Sequence, residues 1–159
     1  WDDSPLKKGE ATFFEIAGVH RRYHAPQSRT LLLGEPPTKY RKAENAVLEA
    51  VTAGMAQAKP GNFCEDIANA FNATLNRLGF EKDSRAGYSI GLSYPPDWGE
   101  RTFSLRKDDR TVLEPGMVFH FMPALWLDDG GIEITEPVLI TKTGAENLCN
   151  TPAELAVKL

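Results

Sequence analysis

Residues 11–20 (ATFFEIAGVH) and 22–34 (RYHAPQSRTLLLG) are rich in aromatic and branched side chains and predict two strands closed into a hairpin. Pro26 lies inside the second and predicts a bend, an edge or a bulge, because proline brings no N–H to a ladder. From Thr38 to about Lys59 the apolar positions Ala43, Val47, Ala50, Val51 and Ala53 recur at helical spacing, and Pro60-Gly61 ends the helix. A second helix is predicted to begin at Asn62-Phe63-Cys64-Glu65, with Asn62 as N-cap and the acid three positions on. Ile67, Phe71, Leu75 and Leu78 line one of its faces, and Gly79 supplies a stop. Residues 87–94 (GYSIGLSY) predict a short strand, and residues 95–111 (PPDWGERTFSLRKDDRT) a loop dense in Pro, Trp and charge. Residues 116–126 and 133–141 read as strands joined by the DDGG turn. The order predicts an α+β fold with helices on one face of a curved, mostly antiparallel sheet, as a single domain over residues 1–159.

Composition narrows the class. The chain has 159 residues, enough for one core, with 42% hydrophobic and 25% charged residues, so it reads as globular rather than disordered. Lys and Arg number 18 against 22 Asp and Glu, giving 18 − 22 = −4 and no long basic run, which argues against a nucleic-acid partner. No apolar stretch approaches the roughly 18–20 residues of a membrane span. Cys64 and Cys149 are too few and too scattered for a disulfide framework, and read as reduced packing residues of a cytoplasmic protein. The chain starts at Trp1 and reads as a processed product or a fragment.

The stretch FFEIAGVHRRYHAPQSRT carries the densest candidate chemistry. Glu15 sits in an apolar run, with His20, His24, Arg21, Arg22 and Arg29 close behind. Two-metal hydrolytic centres need several carboxylates and imidazoles around ions about 4 Å apart. Four residues along a strand span about 13 Å, so His20 and His24 do not reach one ion unless a turn joins them. From these residues alone, Glu15 is either a catalytic carboxylate or a strand-edge acid paired with an arginine.

The order of a carboxylate in a strand, SRT, two helices, GYSIGL, PGMVFHFMP and GIEITEPVLIT resembles the pita-bread family. That family includes creatinase, prolidase and the methionine and Xaa-Pro aminopeptidases. The likeness runs from about Gly9 to Leu148 and implies the later part of that fold, without its amino-terminal domain and first αβ unit. Five metal ligands lie along this order in the peptidases of the family. The first Asp falls on Glu15, the second on Pro26 and the ligand His on Tyr88. A further catalytic His falls near Pro95, the first ligand Glu falls on Met122, and only the last Glu has a match, at Glu136. Pro and Met offer nothing to a hard cation, so the resemblance implies the scaffold without its metals and without the usual peptidase activity.

Within the family, YHAPQSRT, GYSIGLSYPPDWGE and PGMVFHFMPALWLDD resemble the ectoine hydrolase branch. That likeness implies metal-independent, cofactor-free opening of a cyclic amidine carboxylate, to N-acetyl-diaminobutyrate in the case of ectoine. Glu15 is then nucleophile or general base, with Tyr88 and Glu136 as the other catalytic candidates. Arg101 is the candidate partner of the substrate carboxylate, and His120, Trp98 and Trp126 the candidate pocket lining. The resemblance also implies a homodimer of the full-length protein and an inactive isolated piece. A creatinase-like amidinohydrolase, a binding-only domain and a degenerate metallopeptidase are the competing readings.

Overall fold

The structure is a computed structural model and describes residues 3–159. Strands β1 (Ala11–His20) and β2 (Tyr23–Leu33) form the predicted hairpin, in register from His20↔Tyr23 to Ala11↔Leu32. Arg21 (φ 48°) and Arg22 (φ 68°) make the two-residue turn, both left-handed, as the twist of a tight hairpin demands. Pro26 causes no bulge. It pairs with Ala17 in unbroken register. The reason is parity: the N–H groups of His24 and Ser28 point away from β1, to Gly91 O (2.9 Å) and Thr135 Oγ1 (2.7 Å). Pro26 lies between them, so its missing donor breaks no hairpin bond. His20 is exposed at the turn, whereas His24 is buried and its Nε2 lies 3.2 Å from Ser93 O.

Helix α1 (Thr38–Gln57) buries Tyr40, Ala43, Val47 and Ala50, and α2 (Cys64–Arg77) buries Ile67, Phe71 and Leu75. The second helix starts one residue later than predicted. Phe63 is its N-cap, and Asp66 Oδ2 accepts from Phe63 N (2.7 Å), while Asn62 turns back to donate to Gln57 O (2.9 Å). Glu65 instead accepts from Asp108 N (3.1 Å), tying the helix to the segment before Asp109.

The remaining strands are β3 (Gly87–Ile90), β4 (Gly99–Leu105), β5 (Val118–Phe121), β6 (Ala124–Leu127), β7 (Gly130–Glu133), β8 (Glu136–Ile140), β9 (Ala145–Asn147) and β10 (Ala156–Lys158). They build sheets of order β1-β2-β10, β4-β3-β5-β8-β9 and β6-β7, antiparallel except at β2-β10. The predicted α+β architecture is therefore the one formed. Five details differ. Residues 99–105, read as loop, form β4, because Phe103 and Leu105 alternate inward beneath the charges. The run 116–126 breaks at Met122-Pro123 into β5 and β6, and the run 133–141 breaks at Ile134-Thr135, giving β7 and β8. The turn between β6 and β7 is Asp128-Asp129, with Leu127 paired to Gly130. The strand predicted at 87–94 ends at Ile90.

The helix pair packs on the five-stranded sheet through one continuous core, with Phe71 and Phe121 edge to face at 5.5 Å. Cys64 is fully buried there, and burial pushes its thiol up to about 12, so it packs rather than reacts. Among the described residues, no helix is long and apolar enough to cross a membrane.

Candidate active site

The face of the sheet opposite α2 carries a polar spine. Strand register places Tyr88 of β3 across from His120 of β5, and His120 across from Pro137 of β8. The Tyr88 hydroxyl accepts from Trp98 Nε1 (2.7 Å) and lies 2.9 Å from His120 Nδ1. His120 Nε2 is 2.6 Å from Thr135 Oγ1, which also accepts from Ser28 N (2.7 Å). Ser28 Oγ donates to Glu133 Oε2 (3.0 Å), and Thr30 Oγ1 accepts from Glu133 N (2.7 Å). The chain Trp98–Tyr88–His120–Thr135–Ser28–Glu133 thus links three sheets.

Burial holds His120 neutral, with its pKa lowered to about 3 and the nearby Arg85 charge adding to the effect. Two tautomers satisfy the neutral ring. With the proton on Nδ1, His120 donates to Tyr88, and the phenol proton is free for a ligand. With it on Nε2, the phenol donates to His120 instead. The Tyr88 hydroxyl can therefore donate a hydrogen bond to a ligand in the first state and accept one in the second. Burial also raises the Tyr88 pKa, opposed by the Trp98 hydrogen bond and reinforced by the charge of Glu15.

Glu15, partly buried on β1, borders a groove of about 450 Å³ shared with Phe13, Phe14 and Ile16. Among the described residues, nothing hydrogen-bonds or ion-pairs with its carboxylate. Its pKa is raised, first by burial and then by the charge of Glu133. Glu133 is itself raised by burial, against the pull of Ser28 and of Lys82. The charge of Glu133 thus acts on Glu15, while Lys82 partly answers Glu133 itself. Lys82 is partly buried nearby; its pKa is lowered by desolvation, partly restored by Glu133, and its Nζ donates to Ser84 Oγ (2.7 Å).

The residues singled out in the sequence divide. Glu15, Tyr88, Trp98 and His120 meet in this region. Glu136 does not join them. It lies across from Phe121, on the opposite face of the pleat from His120, ion-paired to Arg29 and accepting from Gln27 Nε2 (3.2 Å). Arg101, in the left-handed region at φ 60°, is largely exposed and held by Asp97 at 2.6 Å, so its charge is already answered. Trp126 is 63% exposed on β6 and touches β1 through Phe13, edge to face at 5.7 Å. The group that couples to Glu15 is Glu133, absent from the sequence reading. Parity carried the signal: Ile132, Ile134, Val138 and Ile140 are core residues, so Glu133 and Thr135 share the opposite face while Glu136 has core parity.

Beside Tyr88 lies a second cavity, of about 480 Å³, lined by Arg85, Tyr88, Asp97, Trp98 and Arg101. The Arg85 guanidinium carbon stacks 4.2 Å from the centre of the Tyr88 ring.

The sequence pattern of metallopeptidase family M24 matches residues 1–142. The chain belongs to this family. It is 58% identical over 159 residues to the ectoine hydrolase of Halomonas elongata, covering 99% of this chain and 40% of that protein. It is 28% identical to the Xaa-Pro dipeptidase of Pyrococcus furiosus over 96% of this chain and 43% of that one. The crystal structure of the prolidase from Pyrococcus horikoshii superposes with a TM-score of 0.85 at 25% identity, over 97% of this chain and 44% of that chain. This chain thus spans about 40% of the length of the curated relatives it matches.

A metallopeptidase family implies metal ions, and the donors present do not fit them. Among the described residues, no three of His, Cys, Asp and Glu converge. The site face offers Glu15 and Glu133, a histidine with both nitrogens engaged, and Lys82 close to Glu133. A pair of divalent ions needs more carboxylates and no cation in their place.

Proposed function

We propose that this chain forms the carboxylate-bearing part of a hydrolase site that opens the cyclic amidine of ectoine without a metal ion. The observation that carries the reading is Glu15, a partly buried carboxylate with no hydrogen bond or ion pair among the described residues, on which the charge of Glu133 also acts. An amidinium cation supplies what Glu15 lacks. Each unit charge about 4 Å away is worth roughly 4 kcal/mol at an effective dielectric of 20, and that attraction offsets desolvation of the carboxylates. The likeness to the Halomonas elongata ectoine hydrolase supports the choice of ring.

In the mechanism we favour, a Glu15 oxygen attacks the amidinium carbon, which its own positive charge makes electrophilic. The adduct collapses as one ring C–N bond breaks, and water then releases Glu15 and leaves the acetyl group as an amide on the other nitrogen. The departing nitrogen takes a proton from the Tyr88 hydroxyl or from Glu133, whose pKa burial raises, and the donor regains it from the water that resolves the adduct. Glu15 acting as base toward water gives the same product, N-acetyl-diaminobutyrate.

The test is incubation of the full-length protein with ectoine, with and without a strong chelator, following acetyl-diaminobutyrate. Equal turnover in both supports the reading. Chelator-sensitive turnover, or dipeptide cleavage in its place, overturns it.

A further inference from the structure

We propose that Arg85 binds the substrate's carboxylate and thereby selects zwitterionic amidines over plain cationic ones. The inference rests on the function proposed above and names a specificity residue for it. The cavity beside Tyr88 holds two arginines. Asp97 occupies Arg101 at 2.6 Å, whereas Arg85 has no hydrogen bond or ion pair among the described residues. Its stack on the Tyr88 ring uses the guanidinium face and leaves the edge N–H groups for a ligand, in the fork geometry that suits a carboxylate.

The backbone around Arg85 is pinned. Ala86 N donates to Leu105 O (2.7 Å) and Ala86 O accepts from Met122 N (2.7 Å). At Gly87 an added Cβ would stand 2.4 Å from His120 O, so the chain here has no room to shift. Arg85 is therefore anchored at its root and oriented at its tip. Arg85 also borders an adjoining hollow with Lys82, Asp83, Arg106 and Lys107. The charge of Arg85 reaches the Tyr88 phenol, as do those of Glu15 and Glu133. One phenol thus stands among charges of both signs, as a ring bearing an amidinium and a carboxylate requires.

The experiment compares ligand pairs on the full-length protein: ectoine and the same ring without its carboxylate, creatine and 1,1-dimethylguanidine. Trp98 touches Tyr88, so tryptophan fluorescence reads occupancy, and turnover is followed alongside. In R85M the carboxylate-bearing ligands should bind roughly 10- to 100-fold more weakly while the plain amidines are unchanged. Unchanged binding of the plain amidines also shows that the variant folds. R85K should restore part of the loss, and R101M should keep the discrimination. The assignment is overturned if R85M weakens both members of a pair equally or neither, or if R101M removes the preference. Arg85-dependent discrimination without turnover of any amidine would leave this site standing and remove the hydrolase reading.

Discussion

Arg29→Met and Glu136→Gln separate scaffold from chemistry. Arg29 donates to the carbonyls of Ser28 (2.7 Å), Thr135 (2.8 Å), Thr151 (2.9 Å) and Pro152 (2.7 Å), and pairs with Glu136. The two side chains are 13% and 6% exposed. Removing Arg29 leaves a buried carboxylate without its counter-ion, which costs about 3–5 kcal/mol. Glu136→Gln keeps the four carbonyl bonds and loses only the charge-assisted one, about 1.5–3 kcal/mol. The double variant orphans no charge, so its loss should be smaller than the sum of the two. Urea unfolding of the full-length protein, monitored at equilibrium, reads these differences. Ectoine turnover by folded Glu136→Gln should stay within about threefold of the parent, because Glu136 lies across the sheet from Tyr88 and His120. Loss of turnover by about 100-fold at unchanged stability, or an Arg29→Met cost below about 1 kcal/mol, would refute the reasoning.

Two more perturbations follow from the same geometry. His120 is held neutral with its pKa near 3, below its ordinary 6.5, so the unfolded chain takes up a proton that the folded one refuses. Its contribution is whole above pH 6.5 and is lost as pH falls toward 3; His120→Gln should flatten the fall in unfolding midpoint between those values, and an unchanged slope would contradict it. Gly54→Ala would place a Cβ 2.7 Å from Phe121 Cζ and 3.4 Å from Ile67 Cγ2. Phe121 is pinned against Phe71, so overpacking of about 1–3 kcal/mol should exceed the helix-propensity gain of about 1 kcal/mol; a raised unfolding midpoint would show that α1 sits farther from the sheet.

Aromatic and branched residues marked the hairpin, and helical spacing of apolar positions with Pro60-Gly61 and Gly79 as stops marked both helices. Such patterning failed where charge hides alternation, as in β4, whose Phe103 and Leu105 sit among Glu100, Arg101, Arg106 and Lys107. It failed again where one apolar run turns a corner, at Met122-Pro123 and Ile134-Thr135. The short edge strands β9 and β10 carry no pattern of their own. Part of the site was legible, since Glu15, Tyr88, Trp98 and His120 lie in segments whose order the sequence shows. Glu133 and Arg85 were not, because their roles depend on pairings between strands distant in sequence. Glu136 drew attention as an acid in the right motif, yet the face it occupies is decided by its parity with Val138 and Ile140.

Ectoine consumption by full-length Glu15→Gln, with the fold checked by circular dichroism, tests the central claim most directly. A neutral amide of the same shape keeps the packing but neither attracts the amidinium nor attacks its carbon, so the rate should fall roughly 10³-fold or more, with or without chelator. A variant that retains a tenth of the parent rate, or regains it on addition of divalent ions, would contradict the account.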